Sequence, residues 1–369
     1  MKRMALLLVL IIIQLFIAPN LMARDPFKGL DAKWKIRVSD LNSQWDRMEA
    51  DQKEKWARLK ADVERKWDKF VHSTNKDWVS YSPEHDARSR VDFEKGKIVI
   101  EAIVPEDDPK GMEKAGKMVE DQAEKIFKKK DPGKKRVLGS QVKTSLGKEV
   151  KPANLKKYLK DEVLPDVKPD PLPFKSRDGV ERRKYTAHIE LVPQHIRIRA
   201  ERYLPVVEKN AARFNLKPQL ILAVIHTESY FNPMALSGCN AVGIMQIIPR
   251  YAGKEAYRFI YHVDKPISHE YLYDPENNIE LGAAYLHLLK YRYFKDVPGE
   301  LKNRYVFVCG YNWGPTIMRK KIVNRFPIST MSDEQVYMLL REKTPRETAD
   351  YIKKVRERMP IYDPFFDRG

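Results

Sequence analysis

The run from Leu220 to Ile225 is wholly apolar, and Glu228 stands three residues beyond its end. A carboxylate entering an apolar segment costs free energy unless it is neutral, bonded or used. The stretch from Asn215 to Ser229 reads as a helix, with Asn215 as its N-cap residue and Pro218 in its first turn. Glu228 then falls near the C-terminal end. There the helix dipole and the apolar neighbours both disfavour an anion and raise the carboxyl pKa. A carboxylic acid that stays protonated near neutral pH can donate a proton to a glycosidic oxygen. A glutamate exposed on the polar side of the helix would need none of this, and the segment alone does not choose.

Three later segments bear on the choice. "NAVGIMQI" (Asn240 to Ile247) places Gly243, Met245 and Gln246 on a tight apolar turn. "GYNWG" (Gly310 to Gly314) places Tyr311 and Asn312 before a glycine, and "ETADYIKKV" (Glu347 to Val355) places Tyr351 in a helix. Each is weak alone. Together with Glu228-Ser229, and in this order, they resemble the lytic transglycosylases of the lysozyme-like superfamily. That family's pattern is E-S, G-L-M-Q, A-Y-N-x-G and then a tyrosine near the C-terminus. Upstream, "RSRVDFEKGKIVIEAI" and "YTAHIELVPQHI" resemble the domain that precedes the catalytic domain in a membrane-bound branch of the family. The likeness covers roughly residues 81–355.

The resemblance implies a lysozyme-like fold and a reaction on the glycan strands of peptidoglycan. Glu228 would protonate the oxygen between N-acetylmuramic acid and N-acetylglucosamine, then act as base on the C6 hydroxyl of the same muramic residue. That hydroxyl closes a 1,6-anhydro ring. Ordinary glycosidases use two carboxylates; here the substrate supplies the nucleophile, so one suffices. By the same likeness Ser229 and Gln246 hydrogen-bond sugar substituents, and Gly243 and Met245 form the cleft wall. Tyr311 and Asn312 shape the donor side, and Tyr351 holds Glu228 or the muramic residue. Core packing is the alternative for both tyrosines. No cofactor is implied, and the eight histidines show no metal-ligand spacing. The chain departs from the pattern at His226, Cys239, Gly310 and Trp313, and it lacks the lipobox cysteine of the membrane-bound branch. Two rivals remain. One is a lysozyme-type hydrolase, and the other a noncatalytic wall-binding or scaffold protein.

The elements that must position these residues begin with a repeat. Trp34, Trp45, Trp56, Trp67 and Trp78 are each eleven residues apart, and no proline occurs from Asp31 to Ser82. Eleven residues close three helical turns, so the tryptophans would share one face. Residues 31–79 are expected to form one long helix, or two broken near Ser39 or Ser73. Its stripe either packs as core or meets a membrane surface or partner helix. Alternation at Val91 and Phe93, then at Ile98, Ile100 and Ala102, around Glu94-Lys95-Gly96, predicts a β-hairpin. Residues 110–130 read as a polar helix, 165–173 as an extended linker, and "KYTAHIELV" as a strand. From Pro193 the pattern is helical. The expected class is α+β, mostly α. It comprises a signal peptide (1–23), the Trp-repeat helix (24–80), a small α+β domain (81–192) and a lysozyme-like helical domain (193–369).

The chain has 369 residues, 43% of them hydrophobic, and Lys plus Arg exceed Asp plus Glu by 69 − 51 = 18. So basic a balance favours an anionic partner. Lys2 and Arg3 precede an apolar stretch from Ala5 to Ile17, broken by Pro19, with Leu21-Met22-Ala23 as the cleavage region. This is the layout of a signal peptide, with an uncleaved anchor as the alternative. Export to the periplasm, with or without membrane association, makes nucleic acid an unexpected partner. Cys239 and Cys309 form a disulfide or remain two thiols; spacing does not decide.

Overall fold

The computed structural model describes residues 28–367, with side chains in the first helix described at Arg37 and from Ser39 onward. The expected signal peptide and the side chain of Trp34 lie outside the described residues. The chain divides into two compact units, residues 1–55 and 56–369. The first contributes the N-terminal part of helix α1 (Lys28–Lys66), in which Trp45 is buried.

The second unit holds the rest, beginning with the end of α1. The expected helix to residue 79 stops at Lys66. Neither glycine nor proline ends it; distant groups cap its last carbonyls. Asp178 donates its backbone N–H to the Arg65 carbonyl at 3.2 Å, and the Ser176 hydroxyl donates to the Lys66 carbonyl at 2.7 Å. Trp67 then drops into the interior. Its indole N–H donates to the His85 carbonyl at 2.6 Å, and the Arg88 guanidinium lies 4.0 Å from its ring centre. Trp56 meets Phe70 edge-on at 5.4 Å. Trp78 lies on a strand, buried among the sheet's apolar side chains. The five tryptophans therefore do not share one helical stripe, and Trp67 and Trp78 are core.

The sheet is antiparallel throughout. Its strands are β1 (Asp77–Tyr81), β2 (Ala87–Asp92), β3 (Lys97–Pro105), β4 (Lys168–Pro169), β5 (Phe174–Lys175) and β6 (Glu181–Glu190), in the order β1-β2-β3-β6-β4, with β5 also on β6. The expected hairpin is β2–β3, with Val91 opposite Ile98 and Asp92 opposite Lys97. Alternation sends Val91, Phe93, Ile98, Ile100 and Ala102 to one buried face. Helix α2 (Gly111–Lys128) covers that face with Ala115, Val119, Ala123 and Ile126. Within the expected linker at 165–173, Lys168 and Pro169 join the sheet by pairing with Thr186 and Tyr185. Pro169 is tolerable there because β4 is an edge strand.

Helices follow from residue 195. They include α3 (His195–Arg213), α4 (Pro218–Ser229), α5 (Lys254–Tyr261), α6 (Pro275–Leu288), α7 (Glu300–Trp313), α8 (Asp333–Lys343) and α9 (Arg346–Arg358). Arg199 of α3, fully buried, ties them to the sheet side. It donates to the Tyr230 carbonyl at 3.0 Å, the Phe93 carbonyl at 2.8 Å, Gln141 Oε1 at 2.5 Å and His195 Nδ1 at 3.1 Å. All four acceptors are uncharged, and burial together with Arg199 pushes the His195 imidazole down to about 4, which keeps it neutral.

Candidate active site

Helix α4 is apolar almost all round, and residues 220–226 are buried, as expected of a helix that runs through a core. Pro218 is its first residue and Lys217 precedes it. Asn215 is not the N-cap. Its backbone is left-handed (φ +50°) and its amide donates to the Tyr291 hydroxyl at 2.7 Å. At the other end Tyr230 takes a left-handed conformation (φ +52°), its N–H on the His226 carbonyl, and this stops the helix.

Glu228 sits in that last turn. Burial raises its carboxyl to about 8; a hydrogen bond from Tyr351 pulls it back in part, and the charge of Glu347 adds a smaller upward push. The Tyr351 hydroxyl donates to Glu228 Oε1 at 2.7 Å. No other hydrogen bond to this carboxyl is present among the described residues. The expectation of a carboxyl held protonated by its surroundings agrees with this geometry, although desolvation is the main cause.

Asn278 on α6 organises the turn after α4. It accepts the Met245 N–H at 2.8 Å and donates to the carbonyls of Val242 at 2.9 Å and Leu272 at 2.8 Å. Gly243 (φ +76°) lies so close that a Cβ there would stand 2.3 Å from Asn278 Nδ2 and 2.4 Å from the Leu272 carbonyl oxygen. Three expected sugar or wall contacts are corrected here. Ser229 is fully buried and its hydroxyl lies 2.7 Å from the Ile244 carbonyl, so it fastens α4 to the turn. Met245 is also fully buried, and Gly243 faces Asn278; both support the cleft from inside. Polar groups enclosed in this way are satisfied internally rather than offered to a ligand.

Gln246, Tyr311 and Asn312 line an open cleft of about 840 Å³, together with Trp313, Tyr285 and Tyr293. The Gln246 amide donates to the Gly243 carbonyl at 2.9 Å. Tyr311 donates to the Met245 carbonyl at 2.8 Å. The Thr348 hydroxyl donates to Asn312 Oδ1 at 2.7 Å, and Thr348, Tyr351 and Ile352 share the buried face of α9. Asn278 and Thr348 were missed from the sequence. Asn278 follows Asn277 near the polar start of α6, so nothing local singled it out; Thr348 stands in the quoted segment beside Tyr351.

The departures also find places. The Phe294 ring packs onto Gly310, where a Cβ would lie 2.6 Å from it. His226 is buried with Nδ1 2.8 Å from the Tyr362 hydroxyl, and desolvation pushes it down to about 3. It is a neutral core histidine. Cys239 and Cys309 are both free thiols, one exposed and one buried. Among the described residues no group of His, Cys, Asp and Glu could hold a metal ion.

Residues 205–328 match the transglycosylase SLT domain, and residues 46–131 match the N-terminal domain of membrane-bound lytic murein transglycosylase C. A relative of that name from Serratia proteamaculans is 31% identical over 309 residues, covering 78% of this chain and 82% of its own. The chain belongs to the lytic murein transglycosylases. A second relative of this transglycosylase, from Yersinia pestis, is 31% identical over 311 residues, again 78% and 82% of the two chains. A solved structure of the lytic transglycosylase Slt from Pseudomonas aeruginosa is 26% identical, covers 44% of this chain and 24% of that one, and has a TM-score of 0.37. Tyr351 and Thr348 lie beyond the SLT match, so α9 completes the site from outside it. Among the described residues no helix is long and apolar enough to cross a membrane.

Proposed function

We propose that this transglycosylase cleaves the β-1,4 bond between N-acetylmuramic acid and N-acetylglucosamine in peptidoglycan strands and leaves 1,6-anhydromuramic ends. The observation that carries the reading is the single raised carboxyl of Glu228, held by Tyr351 in the core the cleft is built on. Protonated Glu228 gives its proton to the glycosidic oxygen as the bond from the muramic C1 to that oxygen breaks. The resulting carboxylate takes the proton of the muramic C6 hydroxyl as its oxygen bonds to C1. The proton is thereby restored to Glu228, and neither water nor a cofactor is consumed. Oε1 stays on Tyr351, which leaves Oε2 for both transfers. Gln246 and Asn312 present amides to the sugar, and Trp313 an aromatic face. Export to the periplasm and contact with the membrane surface are part of the same reading.

The test is mass spectrometry of muropeptides released from purified sacculi by the protein, beside Glu228→Gln. Anhydro ends that vanish in the variant are the expected result. Reducing ends would mean a hydrolase. Glu347, the one other carboxyl whose charge is felt at Glu228, would then be the second acid to examine. Retained binding with no release from either protein would mean a wall-binding module.

A further inference from the structure

The last turn of α4 is held from the sheet side. Asn75, in the loop before β1, donates its side-chain amide to the backbone carbonyl of Glu228 at 2.9 Å. Its own carbonyl accepts the Asn232 amide at 3.4 Å, and the neighbouring Thr74 carbonyl accepts the Leu236 N–H at 3.3 Å. Lys76 continues the contact through Glu94 at 2.6 Å, and Glu94 accepts the Tyr230 hydroxyl with its other oxygen. Arg358 donates to that same hydroxyl at 2.9 Å.

Two features give this clamp work to do. Tyr230 and Phe231 are both left-handed, at φ +52° and +60°, without being glycine. Such a conformation persists only where the surroundings over-determine it. In addition, the last carbonyls of a helix lack intrahelical donors and carry the negative end of its dipole. The Glu228 carbonyl is one of these, and Asn75 supplies its donor.

We infer that Asn75 is a positioning residue for the Glu228 carboxyl, and that the sheet is thereby part of the catalytic apparatus. The inference rests on the acid–base role proposed for Glu228. By fixing the carbonyl of residue 228, Asn75 fixes the backbone from which that side chain departs. The carboxyl itself is faced by Tyr351 and Glu347 from α9 and by Tyr311 from α7, and none of these bonds to Asn75. A misplacement of about 1 Å at a reacting group can cost on the order of 100-fold in rate.

The test is Asn75→Ala in the full chain, with kcat, KM, the pH profile of kcat and Tm measured on sacculi beside wild type. The expected result is a kcat lower by roughly 10- to 100-fold with KM near wild type and Tm lower by only a few degrees. The basic limb of the profile moves to higher pH, since an unbonded carbonyl leaves more negative potential beside the carboxyl. Asn75→Asp moves it further. If Asn75→Ala fails to fold, Tyr230→Phe removes only the hydroxyl ties to Glu94 and Arg358 and should move kcat and the limb in the same directions. An unchanged kcat and limb would overturn the inference. So would a loss that tracks the unfolded fraction while the folded protein keeps wild-type kcat and limb. A wild-type protein that releases no product would instead overturn the reading of Glu228.

Discussion

Tyr351 donates its hydroxyl hydrogen to Glu228 Oε1 at 2.7 Å across 123 positions of sequence. A hydrogen bond to the charged form favours that form, yet burial outweighs it and the carboxyl stays raised. Removing the donor in Tyr351→Phe should raise the carboxyl further. The expected kcat on sacculi is lower by roughly 10- to 100-fold, because the carboxylate needed in the second transfer is less stable and less well held. The basic limb of the pH profile should move upward. A limb that moves down would mean that Tyr351 does not stabilise the anion.

The raised carboxyl also sets the pH range of wild type. Proton donation requires protonated Glu228, so kcat should fall as pH rises through about 8. Glu228→Gln should lower kcat by about 100- to 10,000-fold below that pH, with the gap narrowing above it as wild type loses its proton. A bell-shaped profile measured on sacculi, with its basic limb near neutral or lower, would show that another group limits the rate.

The same shift has a stability consequence. Glu228 is protonated in the native state up to about 8, but only to its ordinary value when unfolded. Between those values the native state holds the extra proton, so stability falls as pH rises through that window. Gln cannot ionise. The Tm difference of Glu228→Gln relative to wild type should therefore grow in the variant's favour from pH 6 to pH 9. A constant difference would show that the carboxyl does not titrate high.

Gly243→Ala tests the turn that supports the cleft. Its positive φ alone costs a non-glycine residue about 1–3 kcal/mol, and the added Cβ must also displace Asn278 or the Leu272 carbonyl. Asn278→Ala leaves one buried N–H and two carbonyls without their side-chain partner, at about 1–3 kcal/mol each. Denaturant titration should show both variants destabilised, and activity lost where the protein is still folded.

Trp67→Ala should cost about 3–5 kcal/mol, since the ring is fully buried and carries the Arg88 guanidinium. Trp56→Ala should cost less, because Trp56 is only half-buried. Equal costs would mean that the repeat acts as one stripe after all.

Much of the sheet was legible because its signal is local. Val91, Phe93, Ile98 and Ile100 alternate, and alternation sets both face and register. The length of α1 was not legible, because Ser176 and Asp178, which cap it, lie more than a hundred residues away. Glu228 and Tyr351 could be named from motif order. Which way Ser229 and Met245 point could not, because a motif fixes neighbours in sequence and not the side of the chain that meets solvent. Asn75 had no local signal at all: its partner is 153 positions distant.

Arg199 bears on how such an enzyme can be rearranged. Its donors are shared among residues 93, 141, 195 and 230, and none of these acceptors carries a compensating charge. Cut the chain near residue 193, and the helical part keeps a buried cation stripped of two of its acceptors, while the sheet part keeps two polar groups with nothing to bond. Neither fragment is a self-sufficient module. The pair should be inherited, transplanted or lost together, and a chimaera that swaps only one half would have to rebuild this junction before it could fold.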